Sequence, residues 1–538
     1  MSLQGPDTSE PRRASAPRVA VIGGGATGCA VARDLLLRGF RVTLVEFGDL
    51  GSGTSSRFHG MLQSGGRYAV SDTDYAAECM RERRIVAGLV PHVVEPTGGL
   101  FVSLQEDPPA FADSFKAGCE TAGIPVEELD PVTVRRDEPH LTPAIQRAFA
   151  VPDATINPWG LVTALCDDAR ALGGEILTRH QVKGFDVAGG RIRAVRVAGS
   201  GGERSLEVDG IINAAGPWAA RVAALADQAV DLELTKGAIL VFAHRFVRKA
   251  INRCRPPTSH DILVPTGTVS LFGTTSEVVG DPDTTRVRPE EVQALLDGGE
   301  AMIPNFRSYR AFRAWAGVRP LVKPAGWPQE TPLPRRHQVI DHGPLGVSGF
   351  FTLCGGSLTT HRAMAEDLGD QVCRHFKITA PCRTATTPLA GHGPTSRHPD
   401  SHHPASHWRP AGSFESAETR NQRDSGLCEC EAVSPSELTA LISDGVHGLH
   451  DLRRRLRIGF GPCQGTFCAG RVAGLLAEAD PSFPVEEALA RFWTERLKGM
   501  TRTAWGDQAR QVLLSDLVFR EVMGIRLRPE ILPSEDRR

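Results

Sequence analysis

Four of the twelve cysteines form two close pairs near the C-terminus: Cys428 and Cys430 in C-E-C, and Cys463 and Cys468 in C-Q-G-T-F-C. Thiolates grouped in this way can hold zinc or an iron–sulfur cluster. Zinc usually binds pairs with two to four residues between them, so the single residue in C-E-C is tight for it. Nearby glycines could present backbone N–H groups to the sulfurs; they lie at 459, 461, 465 and 470. The pattern favours a [2Fe–2S] cluster, with zinc as the alternative.

A second chemical motif lies near the N-terminus, where Gly23, Gly25 and Gly28 have G-x-G-x-x-G spacing. The first glycine allows a tight turn, the second lets a pyrophosphate approach, and the third lets helix and strand pack closely. Glu46 follows 18 residues after Gly28, where a carboxylate can accept hydrogen bonds from an adenosine ribose. The elements around these residues are predicted as strand, helix and strand over 19–22, 26–38 and 41–45. The unit predicts an adenine dinucleotide site, and the alternative is a glycine-rich turn of an ordinary α/β protein.

Other elements must position these residues. A glycine- and serine-rich loop is predicted over 48–70, and such loops inside compact domains are usually functional. The fold class is therefore α/β, a Rossmann-type domain with an inserted antiparallel-sheet substrate domain and a small helical C-terminal domain. The predicted elements are helices over 73–89 and 110–122, a turn, helix and strand over 151–177, a β-meander over 184–208, strands within 211–219, 232–275 and 316–322, and a strand, glycine turn and helix over 349–372.

The length of 538 residues predicts two or three domains. The predicted boundaries give a disordered tail (1–16), the nucleotide and substrate region (17–385), a linker (386–424), the cysteine-rich domain (425–480) and a helical extension (481–538). The linker is rich in proline, serine and histidine, and five histidines lie between His392 and His407. Their irregular spacing favours a solvated linker over a metal-binding tract.

Composition narrows the class of protein. Apolar residues make up 41% and charged residues 23%, as in soluble globular proteins. A formal charge of −2 argues against non-specific nucleic-acid binding. No apolar run approaches the roughly 20 residues that span a bilayer, and the polar N-terminus lacks a signal-peptide core. Most cysteines are scattered in apolar surroundings, which indicates reduced thiols and a cytoplasmic location.

The C-terminal motifs LCECEAV and DLRRRLRIGFGPCQGTFCAGRVAGLL resemble the bacterioferritin-associated-ferredoxin (BFD) type of [2Fe–2S] domain. That family more often has C-x-x-C as its second pair, so the wider spacing here departs from it. Together with the glycine turn, INRCRPPTSHDILVPTGTVSLFGTT and FWTERLKGMTRTAWGDQ, the chain from about residue 18 to about 510 resembles the catalytic A subunits of anaerobic, FAD-dependent glycerol-3-phosphate dehydrogenases.

The resemblance implies oxidation of sn-glycerol 3-phosphate to dihydroxyacetone phosphate by hydride transfer to FAD. Electrons would pass through the [2Fe–2S] cluster to partner electron-transfer subunits and the quinone pool. Any attachment to the inner face of the cell membrane would be peripheral, through a partner. The alternatives are a dehydrogenase of another small 2-hydroxy or amino acid, and an electron-transfer scaffold without turnover.

Three segments favour a flavin over nicotinamide. Thr54 and Ser55, in the loop after Glu46, offer donors to a pyrophosphate and ribityl chain. Ala215-Gly216 resembles the second dinucleotide contact of two-domain flavoproteins. Gly355-Gly356 opens a late helix whose N-terminus could hold the anionic edge of the flavin.

A phosphorylated polyol requires cations. Arg67, beside Tyr68 in S-G-G-R-Y, and Arg319 in A-G-V-R-P-L match family arginines of the substrate pocket. Guanidinium groups can bind phosphate and stabilise a developing alkoxide. His59 lies in the same loop, and its neutral imidazole could assist proton removal; the alternative is a loop histidine with a purely structural role.

One motif departs from the family at two positions. Its pattern G-G-K-L-x-T-Y-R is here G-G-S-L-T-T-H-R, so that Ser357 replaces a lysine expected to hold phosphate and His361 replaces a tyrosine. A lost charged hydrogen bond corresponds to about 1.5–3 kcal/mol. Lys236 or Arg362 could compensate, or the substrate could be a different hydroxy acid.

Overall fold

The computed structural model describes residues 15–323, 333–389 and 426–526. The predicted N-terminal tail (except its last two residues), most of the predicted linker and all five of its histidines lie outside this part of the chain.

The nucleotide sheet has six strands, and the glycine turn follows the one at its middle. Five of them run parallel, whereas the edge strand His337–Asp341 pairs antiparallel with its neighbour. Because the apolar run of each central strand is buried on both faces, these strands lack alternation, as expected of a parallel sheet. The spatial order is His337–Asp341, Phe350–Gly355, Gly210–Asn213, Arg18–Ile22, Arg41–Val45 and Glu175–Leu177.

Helices cover this sheet and form a continuous core with it. The helix Ala26–Leu37 packs between Pro158–Ala171 and His361–Phe376, and nine of its twelve residues are buried. Gly39 ends it with a φ of +92°, a conformation that glycine adopts without strain. The predicted Rossmann-type unit is confirmed. Thr73–Leu89 and Ala219–Ala224 are the other helices of this region.

The substrate sheet is larger than predicted and contains one parallel pair. Its nine strands come from three parts of the chain, and Ala250–Arg253 runs parallel to Gly99–Leu104, whereas its other pairs are antiparallel. The spatial order of eight strands is Glu277–Val279, Leu232–Phe242, Val269–Gly273, Ile262–Thr266, Ala250–Arg253, Gly99–Leu104, Ile145–Val151 and Glu127–Leu129. The ninth strand, Ala311–Val322, pairs with Leu232–Phe242. The helices Pro109–Thr121, Pro131–Asp137 and Pro289–Glu300 accompany it.

Two small sheets complete this region. The predicted meander forms Gln181–Ala188, Arg191–Gly199 and Gly202–Glu207, and a second sheet joins Met61–Leu62, Ala154–Ile156 and Val94–Glu95. The predicted loop over 48–70 contains short 3-10 turns at Thr54–Ser56 and Gly66–Tyr68.

The C-terminal region is helical and has a core of its own. Residues on both sides of position 480 share this core, among them Leu438, Leu452, Trp493 and Phe519. The helical extension therefore packs directly on the cysteine-rich domain. The helices of the whole C-terminal region are Pro435–Ser443, Leu449–Leu456, Ala469–Ala479, Val485–Met500 and Gly506–Leu517. Across the described ranges, none of the helices has the length and apolar character needed to cross a bilayer.

Candidate flavin, substrate and cluster sites

The glycine turn is shaped by close backbone approach. Gly23 has a φ of +114°, and a Cβ there would lie 2.5 Å from the Ala214 carbonyl oxygen. A Cβ at Gly28 would lie 1.9 Å from the Gly23 carbonyl oxygen. The first and third glycines are thus required by the turn itself, and the turn is pressed against the segment that leads into Ala215-Gly216.

Glu46 and Ser55 hold the loops around this turn. The two Glu46 carboxylate oxygens accept hydrogen bonds from the N–H groups of Gly24 (2.7 Å) and Gly48 (2.6 Å). Burial raises the pKa of this carboxyl group. The Ser55 hydroxyl accepts from the Ala26 N–H at 3.0 Å, at the start of the first helix. Both side chains therefore lie at the helix N-terminus where a dinucleotide pyrophosphate and ribose bind.

The glycine turn, Ala215-Gly216 and Gly355-Gly356 lie at one edge of the nucleotide sheet, because each follows the carboxyl end of one of three neighbouring parallel strands. Gly355 has a φ of +78°, and a Cβ there would lie 2.6 Å from the Arg336 carbonyl oxygen. Gly216 has open space around its Cα. Thr54 lies farther along and donates to the Val318 carbonyl at 2.6 Å, which ties its loop to the strand that carries Arg319. The glycine cradle, the half-buried Glu46 carboxylate and the helix N-terminus beside them fit an FAD.

Arg67, Arg319 and His59 come together beneath the substrate sheet. His59 is buried close enough to both guanidinium groups for their charges to lower its pKa. Arg335 joins the group, and its charge acts on the other three residues. We call these four residues the arginine site. Arg335 was not predicted, since nothing in the pair Arg335-Arg336 distinguishes one arginine from the other in the sequence.

The arginine site has more positive charge than its partners neutralise. Arg319 Nη2 donates to Thr274 Oγ1 at 2.5 Å, and its buried Nη1 has no hydrogen-bond partner among the described residues. Arg67 lies 3.9 Å from Asp261, a carboxylate that also binds Arg255 at 2.7 Å. Burial and the neighbouring Arg335 lower the pKa of Arg319 to about 10. Such a site favours an anionic ligand.

His59 is neutral in this environment. Burial, followed by the charges of Arg67, Arg319 and Arg335, lowers its pKa to about 3. Its Nδ1 accepts a hydrogen bond from the Met61 N–H at 3.3 Å, so the neutral ring carries its proton on Nε2. That tautomer presents a donor rather than a base.

Ser357 is linked to the arginine site through two tyrosines. The rings of Tyr68 and Tyr75 are 4.9 Å apart, and Tyr68 lies within the electrostatic range of Arg319. The Tyr75 hydroxyl faces Ser357 and Thr360. Ser357 is half-buried, and its N–H donates to Thr360 Oγ1 at 3.3 Å. The position of the family lysine is therefore linked to the arginine site through Tyr75 and Tyr68.

The two proposed substitutes for that lysine are engaged elsewhere. Lys236 is 1% exposed and lies 2.9 Å from both Glu277 and Glu291. A Cβ at the next residue, Gly237, would meet the Arg319 guanidinium, so Lys236 points to the opposite face of the sheet. The prediction that Lys236 binds substrate is not supported by this placement.

Arg362 is equally committed. It forms two bonds of 2.7 Å with the buried carboxylate of Glu82 and a third with Glu366. Its guanidinium therefore holds helices together and is not available to a phosphate.

The four cysteines come together in the C-terminal region. Their thiols contact one another in the order Cys428, Cys468, Cys463, Cys430. The contacts are pairwise: in the described ranges, no group of three or more His, Cys, Asp or Glu side chains is arranged around a single ion position. Two thiolates for each of two irons is the ligand set of a [2Fe–2S] cluster.

Backbone donors surround these sulfurs. The N–H groups of Gly465 and Phe467 donate to the Cys463 sulfur, and together with its neighbouring thiols they lower the pKa of Cys463. A Cβ at Gly461 would lie 2.2 Å from the Cys430 Cβ, so glycine is needed for this approach. The set of four sulfurs with N–H donors fits an iron–sulfur cluster.

The cluster domain packs directly on the nucleotide region. Arg454 pairs with Asp49, in the loop that follows Glu46, and Arg455 binds Asp167 at 2.8 Å. The rings of Trp159 and Phe460 contact edge to face with centroids 4.3 Å apart. The loop of the dinucleotide site and the cluster domain thus share one interface.

Comparison with known proteins agrees with both parts. The FAD dependent oxidoreductase family model matches residues 18–371, and that of the BFD-like [2Fe-2S] binding domain matches 427–478. The A subunit of anaerobic glycerol-3-phosphate dehydrogenase from Escherichia coli (strain K12) is 40% identical over 94% of this chain and 97% of its own. The A1 subunit of the Haloferax volcanii enzyme is 36% identical over 94% of this chain and 90% of its own.

Solved structures share the fold. The glycerol-3-phosphate dehydrogenase from Bacillus halodurans, complexed with FAD, is 21% identical with a TM-score of 0.58, covering 96% of this chain and 95% of its own. Glycine oxidase from Geobacillus kaustophilus is 22% identical with a TM-score of 0.54, covering 70% of this chain and all of its own. The chain is an FAD- and [2Fe–2S]-binding oxidoreductase that belongs to the family of anaerobic glycerol-3-phosphate dehydrogenase A subunits.

Proposed function

We propose that this protein oxidises sn-glycerol 3-phosphate to dihydroxyacetone phosphate. The observation that carries the proposal is the arginine site, in which Arg67 and Arg319 are half-buried with little neutralising charge around a neutral His59. A dianionic phosphate supplies the missing charge. The activity printed in the names of the bacterial relatives supports the same substrate.

In this proposal FAD, when bound, accepts the hydride from the substrate carbinol. Arg67 and Arg335 bind the phosphate, with Tyr68 against them. Arg319 lies at the carbinol and stabilises the negative charge that develops on its oxygen as the hydroxyl proton is released to solvent water and the hydride leaves the carbon. His59 donates from Nε2 to the same oxygen, a role that its tautomer favours over that of a base. Ser357 and Thr360 line the pocket where the family has its lysine.

Electrons leave through the C-terminal cluster. We propose that residues 17–385 form the dehydrogenase and residues 425–480, with their helical extension, the electron-transfer domain. Partner subunits take the electrons and deliver them to quinone, and any contact with the membrane is through such a partner.

Anaerobic flavin bleaching tests the substrate. Purified, cofactor-loaded protein is mixed with glycerol 3-phosphate or with one of a panel of small 2-hydroxy and amino acids, and the flavin absorbance is followed. Glycerol 3-phosphate should bleach the flavin fastest. Faster bleaching by an unphosphorylated acid would replace the proposed substrate, and a bound flavin that none of the compounds reduces would favour a scaffold without turnover.

A further inference from the structure

A basic cluster lies between the substrate sheet and the cluster domain. Arg313, Arg453 and Arg496 act on one another electrostatically, and Glu495, an exposed carboxylate that also pairs with Lys498, acts on all three. Within the described part of the chain, Arg496 Nε and Arg453 Nε are buried without a hydrogen-bond partner. Arg453 lies over the Phe460 ring at 4.7 Å from its centroid. This boundary therefore brings three guanidinium groups together, two of them half-buried and one buried.

Arg313 connects this boundary to the substrate site. It lies on the strand Ala311–Val322, which also carries Arg319 six residues later. Its Nη1 donates to Gln464 Oε1 at 2.9 Å and its Nη2 to the Glu495 carbonyl at 3.0 Å. One strand thus has one arginine in the substrate site and another in contact with the loop of the cluster domain.

Gln464 shapes the loop that holds two of the sulfurs. It follows Cys463 directly, is 1% exposed and has a φ of +52°, which is unusual for a residue other than glycine. Its Nε2 donates to the carbonyls of Gly461 (2.9 Å) and Phe460 (3.2 Å). Because the amide nitrogen is used by the loop itself, its oxygen is free to accept from Arg313.

We propose that Arg313 is a positioning residue for electron transfer from the flavin to the [2Fe–2S] cluster, acting through Gln464 on the loop that carries Cys463 and Cys468. The inference deepens the proposed function and rests on it for the source of electrons. Each oxidation of the carbinol to a carbonyl releases two electrons and two protons. The cluster takes one electron at a time, so that the boundary is crossed twice in each turnover.

Charge gives Arg313 a second effect on the same step. Four thiolates make the oxidised cluster anionic, and its reduction adds one more negative charge. A guanidinium held at the loop by hydrogen bonds, and half-buried so that solvent screens it only in part, favours the reduced state. Arg313 therefore both fixes the loop and raises the reduction potential of the cluster.

The test compares Arg313→Met, Arg313→Lys and the control Arg455→Met in the full-length protein loaded with both cofactors. Arg455 forms the ion pair with Asp167 between the same two regions but does not contact the cysteine loop. Flavin bleaching by glycerol 3-phosphate and the subsequent one-electron reduction of the cluster are followed anaerobically by stopped flow. The midpoint potential of the cluster is measured separately by a redox titration monitored by electron paramagnetic resonance.

In Arg313→Met, flavin bleaching should keep the wild-type rate, while cluster reduction slows about 10–100-fold, the usual cost of losing an outer contact of a metal site. The midpoint potential should become more negative. Arg313→Lys should keep the potential and slow the transfer less, and Arg455→Met should resemble wild type in every readout.

Wild-type transfer and potential in Arg313→Met would overturn the inference, as would an equal effect of Arg455→Met. If Arg313→Met loses its iron, Arg313→Lys decides the question. Slower electron transfer to the cluster at the wild-type midpoint potential supports the inference, and a wild-type transfer rate together with a wild-type potential in Arg313→Lys overturns it. The redox titration needs no substrate. A failure of the proposed substrate therefore shows as absent flavin bleaching in wild type and leaves the comparison of potentials intact.

Discussion

Two regions of this protein bury positive charge in opposite ways. On one face of the substrate sheet, Lys236 lies between two glutamates, and in the nucleotide region Arg362 is held by Glu82 and Glu366. In the arginine site, Arg319 has a buried nitrogen without a partner and Arg67 shares its carboxylate with Arg255. Neutralised cations stabilise the fold, whereas the cations left without counter-charge define where an anionic ligand binds.

The largest effect on this comparison is expected from Arg319→Met. Removing one preorganised charge at a developing oxyanion costs about 10²–10³ in rate. The rate of flavin bleaching by glycerol 3-phosphate, measured by stopped flow at saturating substrate, should fall by this factor. The thermal midpoint of the folded protein should change little, because Arg319 has no carboxylate partner to leave behind. A variant that unfolds instead would place Arg319 with the structural cations.

Lys236→Met should lower the stability of the fold and leave the binding of glycerol 3-phosphate unchanged. Glu291 would be left buried without its cation, which destabilises a protein by about 3–5 kcal/mol. Urea unfolding at pH 7 measures the loss. The control Arg491→Met removes an exposed pair with Glu487 and should cost at most about 1 kcal/mol. A Lys236→Met protein of wild-type stability that binds glycerol 3-phosphate more weakly would restore Lys236 to the substrate site.

Arg67→Gln tests the binding half of the arginine site. Loss of a charge-assisted hydrogen bond to phosphate costs about 1.5–3 kcal/mol, so that KM for glycerol 3-phosphate should rise roughly 10–100-fold. The limiting rate of bleaching should change less, because the phosphate is remote from the carbinol that reacts. An equal fall in the limiting rate with unchanged KM would move Arg67 to the reacting atoms.

Ser357→Lys should strengthen the site. The half-buried position beside Tyr75 would regain the ammonium of the family pattern, and KM for glycerol 3-phosphate should fall by about tenfold, as one added charged hydrogen bond allows. Ser357→Met, of similar length without charge, is the matched control. A higher KM in both variants would show that the serine itself contacts the substrate.

The last expected effect is a dependence of the unfolding free energy on pH. Burial lowers the pKa of His59 to about 3 and that of His361 to about 4, while a histidine of the unfolded chain titrates near its ordinary pKa of about 6.5. Between these values the unfolded state binds more protons than the folded state, so stability falls as pH decreases below 6.5. Each of the two histidines contributes up to about 1.4 kcal/mol per pH unit.

Unfolding of His361→Gln at pH 7 and pH 5 checks this expectation. The loss of unfolding free energy between the two values should be about 2 kcal/mol smaller in the variant than in wild type. An unchanged loss would mean that His361 is protonated in the folded protein. The rate of flavin bleaching should show no transition from His59 between pH 5 and pH 8.

Local sequence patterns were sufficient to predict the structure wherever a motif forms a helix or a turn on its own. The helix predicted over 73–89 is Thr73–Leu89, and the helix predicted over 110–122 begins one residue earlier at Pro109. The glycine turn was predictable because Gly28 meets the Gly23 carbonyl oxygen within the same motif and Gly23 has a positive φ that glycine adopts without strain. The parallel pairing of Ala250–Arg253 with Gly99–Leu104 was not, because the two strands lie far apart in the sequence, with residues 105–249 between them, and neither shows a distinct pattern.

Amino-acid type and spacing thus indicated the cofactor sites: the glycine turn with Glu46 predicted a dinucleotide, and two close cysteine pairs predicted a metal centre. Tertiary structure decided which cations act in the site. Lys236 and Arg319 lie on paired strands, and both were predicted to bind substrate; one sheet face has two glutamates and the other has almost no counter-charge. Such neutralisation depends on carboxylates far away in the sequence, and only the folded chain brings them together.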